Sequence, residues 1–147
     1  MDLQNRLGLT FVFVAHGLNV VRHVSNRVAV MYLGKVMELA PSNQLFQEFA
    51  HPYTASLISA VPNLEDKGKQ PRIALKGEVG SALDLPSGCR FSHRCPAKQS
   101  ICETQEPELV EITSGHFTAC HFPLLSNSER SHFFNQSFQI KSIKTRR

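Results

Sequence analysis

The sequence predicts an α/β fold that is followed by a small, irregular, cysteine-rich region. Residues 9–16 form one apolar run, rich in β-branched and aromatic side chains, as in strands that are buried on both faces of a parallel sheet. Apolar residues then recur at helical spacing in several short segments. Residues 83–120 follow neither period and are rich in proline, glycine and cysteine, which is typical of a segment organised by a cofactor.

A short helix and a hairpin are predicted directly after this strand. Gly17 ends the strand, and residues 19–26 carry apolar side chains at helical spacing. Residues 27–41 alternate between apolar and other side chains on both sides of a central Leu-Gly-Lys. This pattern predicts two short strands joined by a glycine turn.

Two more helices are predicted after the hairpin. Ser42 is a suitable N-cap for the first of them, and His51-Pro52 ends it. Thr54 is a suitable N-cap for the second helix, which Pro62 ends. Strand, helix, hairpin and helices together predict one α/β unit over residues 1–62.

The rest of the chain divides into three parts by composition. Residues 63–71 are polar and contain glycine and proline, so we expect a linker. Residues 72–124 form the cysteine-rich unit, which opens with a predicted strand at residues 72–79. Residues 125–147 are polar and basic, and we expect disorder or a weak helix there.

Charge and hydropathy limit the possible partners of the chain. Residues 1–125 hold 11 basic and 11 acidic residues, so the net charge of +4 comes from the tail, with five basic residues against one glutamate. We expect this sparse tail to be a solvated end, and we expect no nucleic-acid partner. The sequence has no apolar run of the roughly 18 residues that a membrane span needs and no evident signal peptide, so a cytoplasmic protein is expected.

The four cysteines of the chain lie within one window of the irregular region. Cys89, Cys95, Cys102 and Cys120 have the spacing C-x5-C-x6-C-x17-C. Such a cluster predicts either one tetrahedral ligand set or two disulfides. A reducing cytoplasm favours the metal site. The spacing matches neither a zinc finger nor a ferredoxin, so it does not identify the metal.

His16 is the second candidate functional residue. It follows a predicted parallel strand, at the edge of the sheet where α/β folds place groups that contact ligands. Its side chain could donate a hydrogen bond to a phosphate, or it could be a structural residue that caps the turn. The sequence contains no G-x-x-x-x-G-K-[ST] loop and no G-x-G-x-x-G loop that would cradle phosphates.

Three blocks of sequence give the chain a family resemblance over residues 3–124. In order they are LGLTFVFVAHGLNVVRHVSNRVAVMYLGKVMELAPSNQLF, then HPYTASLISAVP, and then PSGCRFSHRCPAKQSIC with HFTACHFP. Together they resemble the C-terminal part of the ATP-binding subunits of oligopeptide/dipeptide ABC importers. The resemblance implies the C-terminal part of an ABC ATPase nucleotide-binding domain followed by the cysteine-rich region.

For His16, the resemblance implies a catalytic and nucleotide-binding role. The family's switch histidine falls on this residue, where it would contact the γ-phosphate of ATP bound with magnesium and help to position the attacking water. The family usually has Ser-His-Asp where this chain has Ala15-His16-Gly17. The family's phosphate loop, signature and magnesium-binding segments have no counterpart here, so we expect the chain alone to be inactive.

For the four cysteines, the resemblance implies a bound [4Fe–4S] cluster. Four thiolates on such a cluster leave net negative charge. Basic side chains interleaved with the cysteines would offset that charge and lower the thiol pKa values. These residues are Arg90, His93, Arg94 and Lys98.

The resemblance also implies partners and a location. The family couples ATP hydrolysis to peptide import, together with permease subunits and a second ATPase subunit, at the inner face of the cell membrane. An alternative is a stand-alone cysteine-cluster module, acting in interaction or redox sensing without ATPase activity.

Overall fold

The computed structural model describes residues 6–61, 73–78, 80–81 and 83–142, with side chains as far as residue 135. Helices and strands are mixed in these residues, as the predicted α/β class requires. The predicted linker at residues 63–71 lies outside them. In chain order the elements are α1 (Leu18–Val24), β1 (Arg27–Tyr32), β2 (Lys35–Pro41), α2 (Ser42–Glu48), α3 (Pro52–Ala60), α4 (Ile101–Thr104), β3 (Val110–Thr113), β4 (His116–Thr118) and α5 (Asn127–Ser142).

The four strands form one sheet in the order β1-β2-β4-β3. Each neighbouring pair is antiparallel, so the parallel arrangement expected from the sequence is not found among the described residues. The hairpin of β1 and β2 is confirmed. Its turn residues Leu33 and Gly34 have φ angles of 45° and 76°, the left-handed conformation of a two-residue hairpin turn.

Pairing of β2 with β4 connects the two halves of the chain. Glu38 and Leu39 of β2 lie opposite Thr118 and Phe117 of β4. One face of β1 buries Val28 and Val30 against α2, while the end of the hairpin packs on the cysteine-rich region. The sheet therefore holds the cysteine-rich region against the helices that precede it.

The predicted strand at residues 9–16 was wrong for the described structure. These residues form no strand, and Val12 and Val14 are 91% and 96% exposed. A strand needs a neighbour to satisfy its backbone hydrogen bonds, and no described residue pairs with this segment. The predicted strand at residues 72–79 is likewise not formed at residues 73–78, where Ile73 instead donates its N–H to the Ser59 hydroxyl at 3.1 Å.

The helices lie close to their predicted positions, but both predicted caps were wrong. The N-cap of α2 is Pro41, and the hydroxyl of Ser42 donates to the carbonyl of Arg22 at 3.3 Å. The N-cap of α3 is His51, whose side chain accepts from the N–H of Tyr53. Pro52 takes the first helical position, where its missing N–H costs nothing.

The tail contains a helix, which was one of the two outcomes expected for residues 125–147. Ser126 and Glu129 form a reciprocal capping box at the start of α5, with the N–H of each residue donating to the other's side chain at 2.7 and 3.1 Å. Arg130 donates to the carbonyls of Glu48 and Phe49 at the end of α2. These contacts attach α5 to the rest of the fold.

The exposed segment at residues 9–14 is expected to promote self-association. Large exposed apolar patches on a soluble chain drive association. We expect Val12→Lys with Val14→Lys to reduce the oligomer fraction measured by size-exclusion chromatography with light scattering. Leu83→Lys is the control, because Leu83 is 99% exposed but lies outside the segment. A wild-type chain that stays monomeric at all concentrations would contradict this prediction.

Candidate functional site

The four cysteines line one small cavity of about 20 Å³. Their thiols are free, with no disulfide between them. Cysteines that are separated by 5, 6 and 17 residues in the sequence therefore lie around the same cavity. The other walls are aromatic, small or histidine side chains, namely His51, Pro52, Phe91, Ala97, His121 and Phe122.

Backbone contacts bring the first three cysteines together. The N–H of Cys89 donates to the carbonyl of Cys102 at 2.8 Å. Gly88 permits this approach, because a Cβ at that position would overlap the carbonyl oxygen of Cys102. Cys95 ends a short 3-10 turn at Ser92–Arg94, and its N–H donates to the carbonyl of Ser92 at 3.3 Å.

The sheet positions the fourth cysteine. Cys120 lies two residues after β4, and its neighbour Ala119 donates its N–H to the carbonyl of Met37 at 2.8 Å. This bond extends the pairing of β4 with β2. The position of Cys120 is thus fixed by the part of the chain that precedes the cysteine-rich region.

Burial governs the protonation of these thiols. It raises the pKa of Cys95 and of Cys120 to about 12, and it also raises the pKa of Cys89. The thiols of Cys95 and Cys120 therefore carry protons at neutral pH. Thiolate ligation would require a cation that displaces those protons.

The four cysteine sulfurs are suitable donor atoms for a thiophilic metal ion, but the described side chains are not arranged to hold one. Four sulfurs match such an ion in type and number. Within the described ranges, however, no group of three or more His, Cys, Asp or Glu side chains is arranged so that it could hold a metal ion. Ligation would require the thiol side chains to turn toward a common centre.

Two of the four basic side chains expected beside the cysteines are engaged with other groups. Arg90 donates to the carbonyl of Leu33 and to Glu106, and Lys98 pairs with Glu103 at 2.6 Å. None of the four basic residues interleaved with the cysteines is among the cavity residues. Carboxylates and carbonyls thus take up part of the charge of Arg90 and Lys98, and burial raises the pKa of Cys95 by more than Lys98 lowers it.

His51 is a cavity residue that the sequence analysis did not select. Its side chain is fully buried, and Nδ1 accepts from the N–H of Tyr53 at 3.0 Å. Its Nε2 atom makes no hydrogen bond with any described residue. Burial lowers the pKa of His51 to about 4, against smaller opposing effects of Glu38 and the Ala119 backbone. The signal in the sequence is the His-Pro pair, which predicted the end of one helix and opens the second block of the family resemblance.

A buried carboxylate holds the backbone at His51. The Glu38 carboxylate accepts hydrogen bonds from the N–H groups of Ala50 and His51 at 2.6 and 3.0 Å, and from Nε2 of His116 at 2.7 Å. Glu38 and His116 are 0% and 1% exposed. This carboxylate ties β2, β4 and the start of α3 together, and so it fixes one wall of the cavity.

Stability is expected to fall on acidification because His51 is buried without charge. The pKa of His51 is about 4 in the fold and 6.5 in the unfolded chain, so between these values the unfolded state binds more protons. The contribution of His51 should fall by about 3 kcal/mol as the pH drops from 6.5 to 4. We expect urea unfolding at pH 4 to 8 to be less pH-dependent for His51→Asn than for the wild type. Parallel curves for the two proteins would contradict this.

His16 lies apart from this cavity. It forms an exposed bend between the irregular residues 9–15 and α1, and it is not among the cavity residues. The structure therefore brings the four cysteines together but does not include His16 with them. The role of His16 at a nucleotide stays a prediction.

A protein-family model matches the second block of the sequence and the first part of the third block. Residues 37–102 match the family model of the oligopeptide/dipeptide transporter C-terminal region. This range includes most of β2, all of α2 and α3, and three of the four cysteines. It also includes Glu38 and His51, so most of the described cavity falls within the matched region.

Similar proteins are named as transport ATP-binding proteins. The chain is 48% identical over 122 residues to the oligopeptide transport ATP-binding protein AppF of Bacillus subtilis, covering 82% of the chain and 37% of that protein. It is 48% identical over 131 residues to the putative oligopeptide transport ATP-binding protein YkfD of the same organism, covering 86% of the chain and 39% of that protein. It is 44% identical over 121 residues to the probable peptide ABC transporter ATP-binding protein y4tS of Sinorhizobium fredii, covering 82% of the chain and 34% of that protein.

The chain therefore spans less than two fifths of the length of these relatives. Among the described helices, none is long and apolar enough to cross a membrane. The family match and the relatives confirm the resemblance found in the sequence. Residues 37–102 belong to the oligopeptide/dipeptide transporter C-terminal region family, and over more than four fifths of its length the chain is similar to part of the ATP-binding proteins of such transporters.

Proposed function

We propose that the chain acts as the C-terminal part of an ATP-binding subunit of a peptide importer. There it contributes to coupling ATP hydrolysis to the uptake of oligopeptides or dipeptides. The observation that carries this proposal is identity of 44–48% over more than four fifths of the chain to proteins named for peptide transport and ATP binding. The comparisons support this function rather than the alternative of a stand-alone redox or interaction module.

The proposed partners follow from this role. They are the permease subunits and a second ATP-binding subunit, and the proposed location is the cytoplasmic face of the cell membrane. His16 would contact the γ-phosphate of ATP bound with magnesium and help to orient the attacking water. The chain's sequence contains no phosphate-cradling loop, so this proposal assigns to the chain only the histidine contact and not the binding of the phosphates.

A chimera tests this role directly. The matching segment of Bacillus subtilis AppF is replaced by this chain, and oligopeptide uptake is measured in a strain that lacks AppF. We expect the chimera to restore uptake and ATP hydrolysis, and His16→Ala in the chimera to abolish both. The isolated chain should hydrolyse no ATP. A folded chimera that assembles with the permease but restores no uptake would contradict the proposal.

We further propose that the four cysteines hold one [4Fe–4S] cluster. The support is that all four cysteines line one cavity and that none is in a disulfide; the cavity of about 20 Å³ has room for about one water molecule, so it must widen to admit a cluster. A bound cluster would cross-link the three segments that carry Cys89, Cys95 with Cys102, and Cys120, and it would exchange electrons at a potential set by its surroundings. Zinc is the rival metal, because four thiolates bind either one.

Single substitutions test whether the cysteines act as one site. Cys89→Ser, Cys95→Ser, Cys102→Ser and Cys120→Ser are purified without oxygen, and their visible absorption is compared with that of the wild type. We expect each substitution to remove the cluster absorption. Ser92→Ala is the control, because Ser92 is buried between two of the cysteines but is not among the cavity residues. A cysteine whose replacement leaves the spectrum unchanged is not a ligand.

A further inference from the structure

We propose that His51 is a positioning residue that donates a hydrogen bond from Nε2 to a thiolate sulfur in the four-cysteine cavity. This inference rests on the thiolate site proposed above. It adds a buried donor to a set of four ligands, and it gives the His-Pro pair at the start of α3 a role at the site. The residue is a donor in this account and not a fifth ligand.

The hydrogen bond at Nδ1 determines which ring nitrogen carries the proton. Nδ1 of His51 accepts from the N–H of Tyr53 at 3.0 Å, so its lone pair is already in use. In the neutral ring the proton then resides on Nε2. Ligation of a metal through Nε2 would require the other tautomer, in which Nδ1–H and the N–H of Tyr53 would face each other. The cap of α3 therefore makes Nε2 a donor.

This donor is buried and lacks an acceptor. His51 is 0% exposed and lies in the wall of the cavity, and its Nε2 makes no hydrogen bond with any described residue. The backbone of Ala119 lies close enough to the ring to raise the pKa of His51 slightly, but it does not meet Nε2 at the distance and angle of a hydrogen bond. A buried N–H without a partner is costly and rare in folded proteins. An acceptor within the cavity would remove this cost, and sulfur is the cavity's characteristic atom.

A thiolate site in this cavity needs such a donor. Four thiolates around a divalent cation carry a net charge of about −2, which a buried site can hold only with compensating donors. Arg90 and Lys98 are engaged with Glu106 and Glu103. The other histidine of the cavity, His121, already donates from Nε2 to a backbone carbonyl at 2.9 Å. His51 is thus the described cavity histidine whose Nε2 is still available.

Asparagine at position 51 separates the two roles of the histidine. Its side-chain oxygen caps a helix N-terminus well, so His51→Asn keeps the acceptor for the start of α3. Its shorter side chain removes the donor that Nε2 presents to the cavity. Thr54→Val is the matched control, because Thr54 also has a buried, unpartnered polar atom on α3 but is not a cavity residue.

Cobalt(II) alone is the probe, added without oxygen to the full chain in a non-thiol reductant. We expect the wild type and Thr54→Val to show the same sulfur-to-cobalt absorption and the same affinity. We expect His51→Asn to bind cobalt at least about tenfold more weakly, with a shifted absorption band, as for lost hydrogen bonds to metal ligands. Circular dichroism of the three proteins confirms that each is folded.

Two different results overturn two different claims. If His51→Asn binds cobalt with wild-type affinity and an unchanged band, His51 is only a helix cap and the inference is wrong. If the wild type shows no sulfur-to-cobalt band, the thiolate site itself is wrong and the inference falls with it.

A measurement on the wild type covers the case in which His51→Asn does not fold. Histidine labelled with nitrogen-15 is observed by NMR during titration with cadmium(II). We expect Nε2 of His51 to keep its proton and to shift on binding. A metal-bound Nε2, or an unchanged resonance when cadmium binds, would overturn the proposed donor.

Discussion

Glu38→Ala is expected to destabilise the chain by about 3–5 kcal/mol, because it removes the acceptor from three buried donors. The N–H groups of Ala50 and His51 and the ring of His116 would lose their partner together. A loss of this size is a large part of the total stability of a small domain. The measurement is urea unfolding followed by circular dichroism, with the midpoint compared between variant and wild type.

Two further variants define what Glu38 contributes. Glu38→Gln keeps the shape but replaces one acceptor oxygen with an N–H₂ group, so we expect an intermediate loss of stability. Glu108→Ala is the control, because Glu108 is exposed and should change stability by no more than about 0.5 kcal/mol. If Glu38→Ala were no more destabilising than Glu108→Ala, the buried carboxylate would not hold the sheet and α3 together.

Gly88→Ala is expected to separate Cys89 from Cys102. An added Cβ would overlap the carbonyl oxygen of Cys102 and lie 2.6 and 2.8 Å from the carbonyl carbon and oxygen of Glu103. All three atoms belong to the backbone, so no side-chain rotation can relieve the overlap. We expect a loss of several kcal/mol in stability, at the upper end of single substitutions. We also expect loss of the sulfur-to-cobalt absorption.

Gly80→Ala is the matched control for this substitution. A Cβ at Gly80 would meet a side-chain carbon of Leu33 at 3.6 Å, which is an ordinary contact. This variant should unfold at nearly the wild-type urea concentration and should bind cobalt normally. Equal behaviour of the two glycine variants would show that the close approach at Gly88 does not assemble the cavity.

Local patterns predicted those parts of the fold that local contacts determine. The hairpin of β1 and β2 was predictable because alternation and a glycine turn act over only a few residues. The prediction failed at residues 9–16, where an apolar run indicated burial that depends on neighbouring strands. The pairing of β3 with β4 was missed because both strands are short and lie in a segment without clear alternation.

The sequence predicted the four cysteines of the candidate site but not the residues that hold the cavity walls in place. Four cysteines in one window indicated a common site, and their side chains do line one cavity. Nothing in the local sequence connects Glu38 with His116, which lies 78 residues away. The cap formed by His51 was also missed, because His-Pro at a helix boundary indicates only that one helix has ended.

Native mass spectrometry of the chain, purified without oxygen, tests the central claim that the four cysteines act as one metal site. The intact mass distinguishes a bound [4Fe–4S] cluster, a bound zinc ion and two disulfides in one measurement. We predict the mass of the chain with one cluster, and the bare mass for Cys120→Ser. One zinc ion in place of the cluster would keep the ligand set and replace the metal. Two disulfides with no metal would contradict the claim.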